Sequence, residues 1–96
     1  MKQKIITPWY TLAAEQGYSG AKYNLGLMYY KGDGVSQDYK ETIKWYTQAA
    51  EQGYAAAQSN LGLMYAVGQG VLQDTIMAHM WANIGFANGN ENGGKA

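Results

Sequence analysis

The sequence predicts an all-α solenoid of about five helices built from a repeated two-helix unit. Residues 13–48 and 49–84 align without a gap at a shift of 36, with identity at 19 of 36 positions: "AAEQGYSGAKYNLGLMYYKGDGVSQDYKETIKWYTQ" over "AAEQGYAAAQSNLGLMYAVGQGVLQDTIMAHMWANI". A period in the thirties is the length of a helix–turn–helix unit, which buries its apolar stripe only by stacking on neighbours. Within each unit apolar residues recur at helical spacing. Between the helical segments stand two glycines and an aspartate suited to an N-cap.

The elements follow in chain order. A leading helix over roughly Ile5 to Gln16 carries Trp9, Ala13 and Ala14 and ends at Gly17. Proline lacks a backbone donor and fits only the first turn of a helix, so Pro8 moves the expected start to about Thr7 and leaves "MKQKII" extended or frayed. From Ser19 to Lys31, Ala21, Leu25, Met28 and Tyr29 form one stripe of a helix of type A. Gly32 and Gly34 break it, and Asp38 can cap the next helix, of type B, whose apolar set is Ile43, Trp45, Tyr46, Ala49 and Ala50. Gly53 ends that helix as a left-handed cap.

The second unit repeats the plan with Ala57, Leu61, Met64 and Tyr65, then Gly68, Gly70 and Asp74, then Ala78, Trp81 and Ala82, with a helix end expected near Gly89. The chain thus divides into a partial unit at 5–17, repeats at 18–53 and 54–89, and a flexible tail at 90–96. A 13-residue helix is ~20 Å long and too short to be stable alone, so the units must stack. "NLGLMY" occurs twice, from Asn24 and from Asn60. A mid-helix glycine costs about 1 kcal/mol relative to alanine. The expected compensation is that Gly26 and Gly62 let an aromatic residue of the following B helix approach the A-helix backbone.

Composition narrows the function. Seven lysines and no arginine balance seven acidic residues, so nothing steers the chain to nucleic acid, and bidentate phosphate recognition is disfavoured. The absence of cysteine removes disulfides, thiolate zinc sites and thiol nucleophiles. The N-terminus lacks the apolar core of a signal peptide, and no stretch approaches the ~18 apolar residues of a membrane span. The expected setting is soluble: cytoplasmic, or periplasmic or secreted if a leader was removed, with the compartment left open.

At these residues the chain resembles the Sel1-like repeat family, relatives of tetratricopeptide repeats. The family pattern of alanine, Leu-Gly-x-x-Tyr, Gly-x-Gly-Val, Asp, Ala-x-x-Trp and Ala-Ala-x-x-Gly is matched by Ala21, Leu25, Gly26, Tyr29, Gly32, Gly34, Val35, Asp38, Trp45, Ala49, Ala50 and Gly53. It is matched again by Ala57, Leu61, Gly62, Tyr65, Gly68, Gly70, Val71, Asp74, Ala78 and Trp81. Thr42 stands where the family has alanine, and Gly85 and Phe86 replace the second Ala-Ala pair. The resemblance implies a right-handed α-α superhelix acting as an adaptor that binds a protein or peptide in its concave face. "AHMWANIGFANGNENGGKA" resembles the last repeat of bacterial members, which continue into one more helix, so a fragment of a longer bacterial chain is expected.

The resemblance also places A helices on the concave face, with Tyr23, Asn24, Leu27, Tyr30 and Lys31 and then Ser59, Asn60 and Leu63 as the partner-binding candidates. Asn24 and Asn60 can offer an amide to a peptide backbone or a carboxylate. Tyr23 and Tyr30 offer rigid amphipathic area. The alternative is that both asparagines only bridge neighbouring A helices.

"GDGVSQD" and "GQGVLQD" lack the third glycine and preceding strand of a dinucleotide loop and read as helix connectors. Asp33, Asp38 and Asp74 lack the spacing of a calcium loop, His79 is a lone histidine, and Glu15 and Glu51 lie one repeat apart. No catalytic residue, metal site or cofactor is expected. Some cysteine-rich relatives have been described as weak β-lactamases, which keeps a hydrolase as the rival class. A third reading is a self-assembling structural piece. The last helix places Ile76, Met77, Met80, Ile84 and Phe86 almost all round, so Ile76, Met77 and Met80 are candidates for homo-oligomer contact or for cover by a further C-terminal helix.

Overall fold

The computed structural model describes residues 6–94. Among them are five α-helices and no strand: α1 (Ile6–Glu15), α2 (Ser19–Lys31), α3 (Tyr39–Glu51), α4 (Ala55–Val67) and α5 (Thr75–Gly94). Each helix packs on the one before it, from α1 on α2 through to α4 on α5, giving a stack with extents of 39 × 33 × 19 Å. Helices α2 and α4 are type A; α1, α3 and α5 are type B. The fold is an all-α solenoid.

The connections explain why the repeat is so regular. After α2, Gly32 adopts the left-handed conformation and its N–H donates to the Met28 carbonyl at 2.8 Å. The Gln37 amide then donates to the Tyr30 carbonyl at 2.9 Å, satisfying a group that the helix end would orphan. Gly68 and Gln73 repeat both bonds on Met64 and Ala66 at 2.8 Å each. The Asp38 carboxylate accepts from the N–H groups of Lys40 and Glu41, and Asp74 accepts from Met77. The glycine-rich stretches are therefore helix connectors.

The B-to-A turns are Schellman motifs. Tyr54 N–H donates to Ala49 and Gly53 N–H to Ala50, and Tyr18 and Gly17 make the same bonds to Ala13 and Ala14. The Gln52 amide donates to the Gly17 carbonyl at 2.9 Å, tying the α3–α4 turn to the α1–α2 turn one repeat away.

One core cluster joins Tyr46, Ala49 and Ala50 of α3 to Ala57, Leu61 and Met64 of α4. A second joins Ala14, Leu25 and Trp45. Thr42 is fully buried, and its hydroxyl donates to the Gly26 carbonyl at 3.0 Å, with the Asp38 carbonyl of its own helix at 3.1 Å. The hydroxyl that departs from the alanine pattern thus fastens α3 to α2.

Several expectations are corrected. Gly26 does admit an aromatic ring, since a Cβ there would lie 2.7 Å from Tyr46 Cδ1. Gly62 does not: a Cβ there would meet backbone, Ala78 O and Ala82 N, each at 3.0 Å. Ala82 occupies the place of Tyr46, and with no ring to insert the helices themselves close up. Gly85 has the same role from the other side, where a Cβ would stand 2.8 Å from the Ser59 nitrogen.

Trp9 is 71% exposed, because its counterpart Trp45 packs against the A helix preceding it and α1 has no such helix among the described residues. Helix α1 begins at Ile6, which leaves Pro8 in its first turn. Helix α5 runs past Gly89 to Gly94. The Asn88 amide donates to Gln58 Oε1 at 2.8 Å there and holds the helix to α4. The expectation for residues 1–5 lies outside the described residues, as do the last two positions of the expected tail.

Candidate partner-binding groove

Helices α2 and α4 run side by side, and between them lies a groove. Leu27 and Tyr30 come from α2, Asn60, Leu63 and Met64 from α4, Tyr46 from α3, and Gln69 from the following connector; the volume of this partly open groove is about 120 Å³. Spacing of three and four residues places Leu27 with Tyr30, and Asn60 with Leu63 and Met64, on one face of each helix. Tyr46 reaches the groove through the gap above Gly26.

The polar part is a tyrosine cluster centred on Tyr23. Its ring stacks on Tyr46 at 5.3 Å and 13°, and packs on Tyr54 at 5.2 Å. The Asn60 amide donates to the Tyr23 hydroxyl at 3.1 Å. Burial pushes the Tyr46 phenol far above its ordinary range, Tyr23 and Tyr30 add to the rise, and the Asn60 amide acts the other way. Tyr29 is also raised, by burial first and then by the charges of Glu41 and Asp38. Both phenols stay neutral at physiological pH.

Of the eight candidates, Leu27, Tyr30, Asn60 and Leu63 line the groove. Tyr23 is held inside the aromatic cluster, and Asn60 bridges to it, which is the bridging role weighed against ligand contact. Ser59 turns toward Gly85 of α5, and Lys31 is exposed outside the lining. Asn24 is half-buried and also outside the lining. Tyr46, Met64 and Gln69 were not candidates. The signal for Tyr46 was the glycine opposite it.

On α5, Ile76 is 81% exposed and Met80 and Ile84 are partly so, whereas Met77 is half-buried. No group of three His, Cys, Asp or Glu residues is placed to hold a metal among the described residues. The expectation that no Ser-x-x-Lys arrangement occurs is corrected, since Ser19 and Lys22 stand at that spacing in the first turn of α2; no side-chain hydrogen bond joins them among the described residues. No described helix is long and apolar enough to cross a membrane.

The Sel1 repeat family model matches residues 9–18, 19–54 and 55–90. No curated protein matches the chain. Among solved structures, a Sel1 repeat protein from Oxalobacter formigenes is 39% identical with a TM-score of 0.87, over 92% of this chain and 36% of that one. A protective antigen of uropathogenic Escherichia coli strains displaying an SLR fold is 44% identical with a TM-score of 0.84, over 90% of this chain and 18% of that one. Cysteine rich protein B of Helicobacter pylori, at 21% identity and a TM-score of 0.84 over 91% of this chain and 65% of that one, shares the fold. The chain therefore spans only part of the length of the structures it matches.

Proposed function

Because the chain belongs to the Sel1 repeat family, whose members are generally helical-repeat protein-interaction modules, we propose that it is a non-catalytic adaptor holding a protein or peptide segment in the groove between α2 and α4. This groove is read as the concave face. One observation carries the proposal: Leu63 is 65% exposed at the lip of a groove whose other walls, Leu27, Tyr30 and Met64, are also apolar or aromatic.

The test is capture of protein partners from the bacterial source by immobilised chain, comparing wild type with Leu63→Glu in the groove and Lys40→Glu on α3. Leu63→Glu should abolish capture while Lys40→Glu, exposed outside the groove, leaves it intact. Equal capture by wild type and Leu63→Glu contradicts the proposal. Hydrolysis of nitrocefin would instead favour the hydrolase reading.

A further inference from the structure

The groove narrows to a pocket of about 120 Å³. An apolar cavity of ~150 Å³ accommodates benzene, so this one fits a single side chain of leucine or methionine size. Leu27, Leu63, Met64 and the Tyr30 ring wall it, and Tyr46, Asn60 and Gln69 form its polar floor. No lining residue carries a formal charge. The Tyr46 phenol is neutral at physiological pH even at its ordinary pKa, and burial only raises it, so the floor acquires no charge.

A carboxylate or ammonium entering this pocket would lose hydration and meet no opposite charge. An aliphatic side chain pays no such cost. The floor is also directional. The Asn60 nitrogen gives one of its two N–H groups to the Tyr23 hydroxyl, which fixes the amide's orientation, and Oδ1 is its acceptor, suited to a peptide N–H.

We propose that this pocket is a specificity pocket for one uncharged aliphatic side chain of an extended peptide, with the peptide N–H taken by Asn60 Oδ1. The inference rests on the reading of the groove as a peptide-binding face. Its ligand class is an uncharged apolar segment, and acidic or basic anchors are rejected.

The probes are the peptides acetyl-Gly-Ser-Ala-X-Ala-Ser-Gly-amide with X as Leu, Met, Glu or Lys, titrated into the full chain carrying labelled methionine methyls. The Leu and Met peptides should shift the Met64 methyl with a Kd at least about tenfold lower than the Glu and Lys peptides, leaving the Met77 methyl on α5 unmoved. Leu63→Lys, a change at an exposed position that the fold tolerates, should reverse the order so that the Glu peptide binds best. Equal or tighter binding of the Glu or Lys peptide to wild type overturns the pocket's specificity and leaves the peptide-binding reading standing. No shift of Met64 with any peptide up to its solubility limit also overturns the inference, and the capture experiment with Leu63→Glu then judges the wider reading separately.

Discussion

The Tyr46 ring occupies the space that a side chain on Gly26 would need, with Cδ1 2.7 Å and Cε1 2.8 Å from the position of that missing Cβ. The ring cannot swing away, because it is buried and stacked on Tyr23. Gly26→Ala gains about 1 kcal/mol of helix propensity and loses about 1–3 kcal/mol to overpacking, so a net loss near 1 kcal/mol is expected in chemical denaturation. In a Tyr46→Leu background the same change should become stabilising by up to about 1 kcal/mol. An unchanged cost in that background would show that the ring is not the obstacle.

Gly70 combines two constraints that Gly53 separates. Both have positive φ, +73° and +91°. A Cβ on Gly70 would lie 2.7 Å from the Tyr39 carbonyl oxygen, whereas one on Gly53 meets nothing within 4 Å. Gly53→Ala should therefore cost about 1–2 kcal/mol from backbone strain alone, and Gly70→Ala about 1–3 kcal/mol more. Thermal unfolding of the two variants side by side measures the difference, and equal melting temperatures would contradict it.

These contacts mark what the sequence could and could not reveal. The connectors and most helix ends were legible, because Gly32 and Asp38 act through local backbone geometry that Gly68 and Asp74 repeat, and Gly53 repeats that of Gly17; the end expected at Gly89 was not, since that glycine continues α5. The different partners of Gly26 and Gly62 were not, since they depend on whether residue 46 or 82 is large. Half of the candidate groove was also legible. Leu27, Tyr30, Asn60 and Leu63 follow from the family resemblance, which puts the A helices on the concave face, but the inward commitment of Tyr23 and the turn of Ser59 toward Gly85 are tertiary.

The buried tyrosines make stability pH-dependent in the alkaline range. The Tyr46 pKa is raised from 10.0 by burial. Above pH 10 the unfolded phenol therefore ionises while the folded one keeps its proton, and the unfolded state is favoured. Stability is fully present below about pH 10 and falls as pH rises toward the folded value. Ultraviolet titration of tyrosinate should show a late component above pH 10 that Tyr46→Phe diminishes. Uniform ionisation of all nine tyrosines near pH 10 would contradict the assignment.

On α3 the outer positions are Lys40, Lys44 and Gln48; one repeat later they are Ile76, Met80 and Ile84. Lys40 and Lys44 stay exposed although α3 has helices on both sides, so stacking does not cover this row. From Thr75 to Gly89 helix α5 carries no acidic residue, lysine or arginine, so a second copy offers a surface of matching chemistry. Light scattering should show concentration-dependent dimers, and Ile76→Lys with Met80→Lys should return the chain to monomers. Monomeric wild type at millimolar concentration would contradict this.

Site-specific photocrosslinking tests the binding groove most directly. A benzophenone side chain placed at position 63 faces the groove, and one at position 40 lies on the outer side of α3. In cells of the source organism, position 63 should yield a discrete protein adduct that position 40 does not. Adducts at position 40 alone, or the same adducts at both positions, would contradict the account.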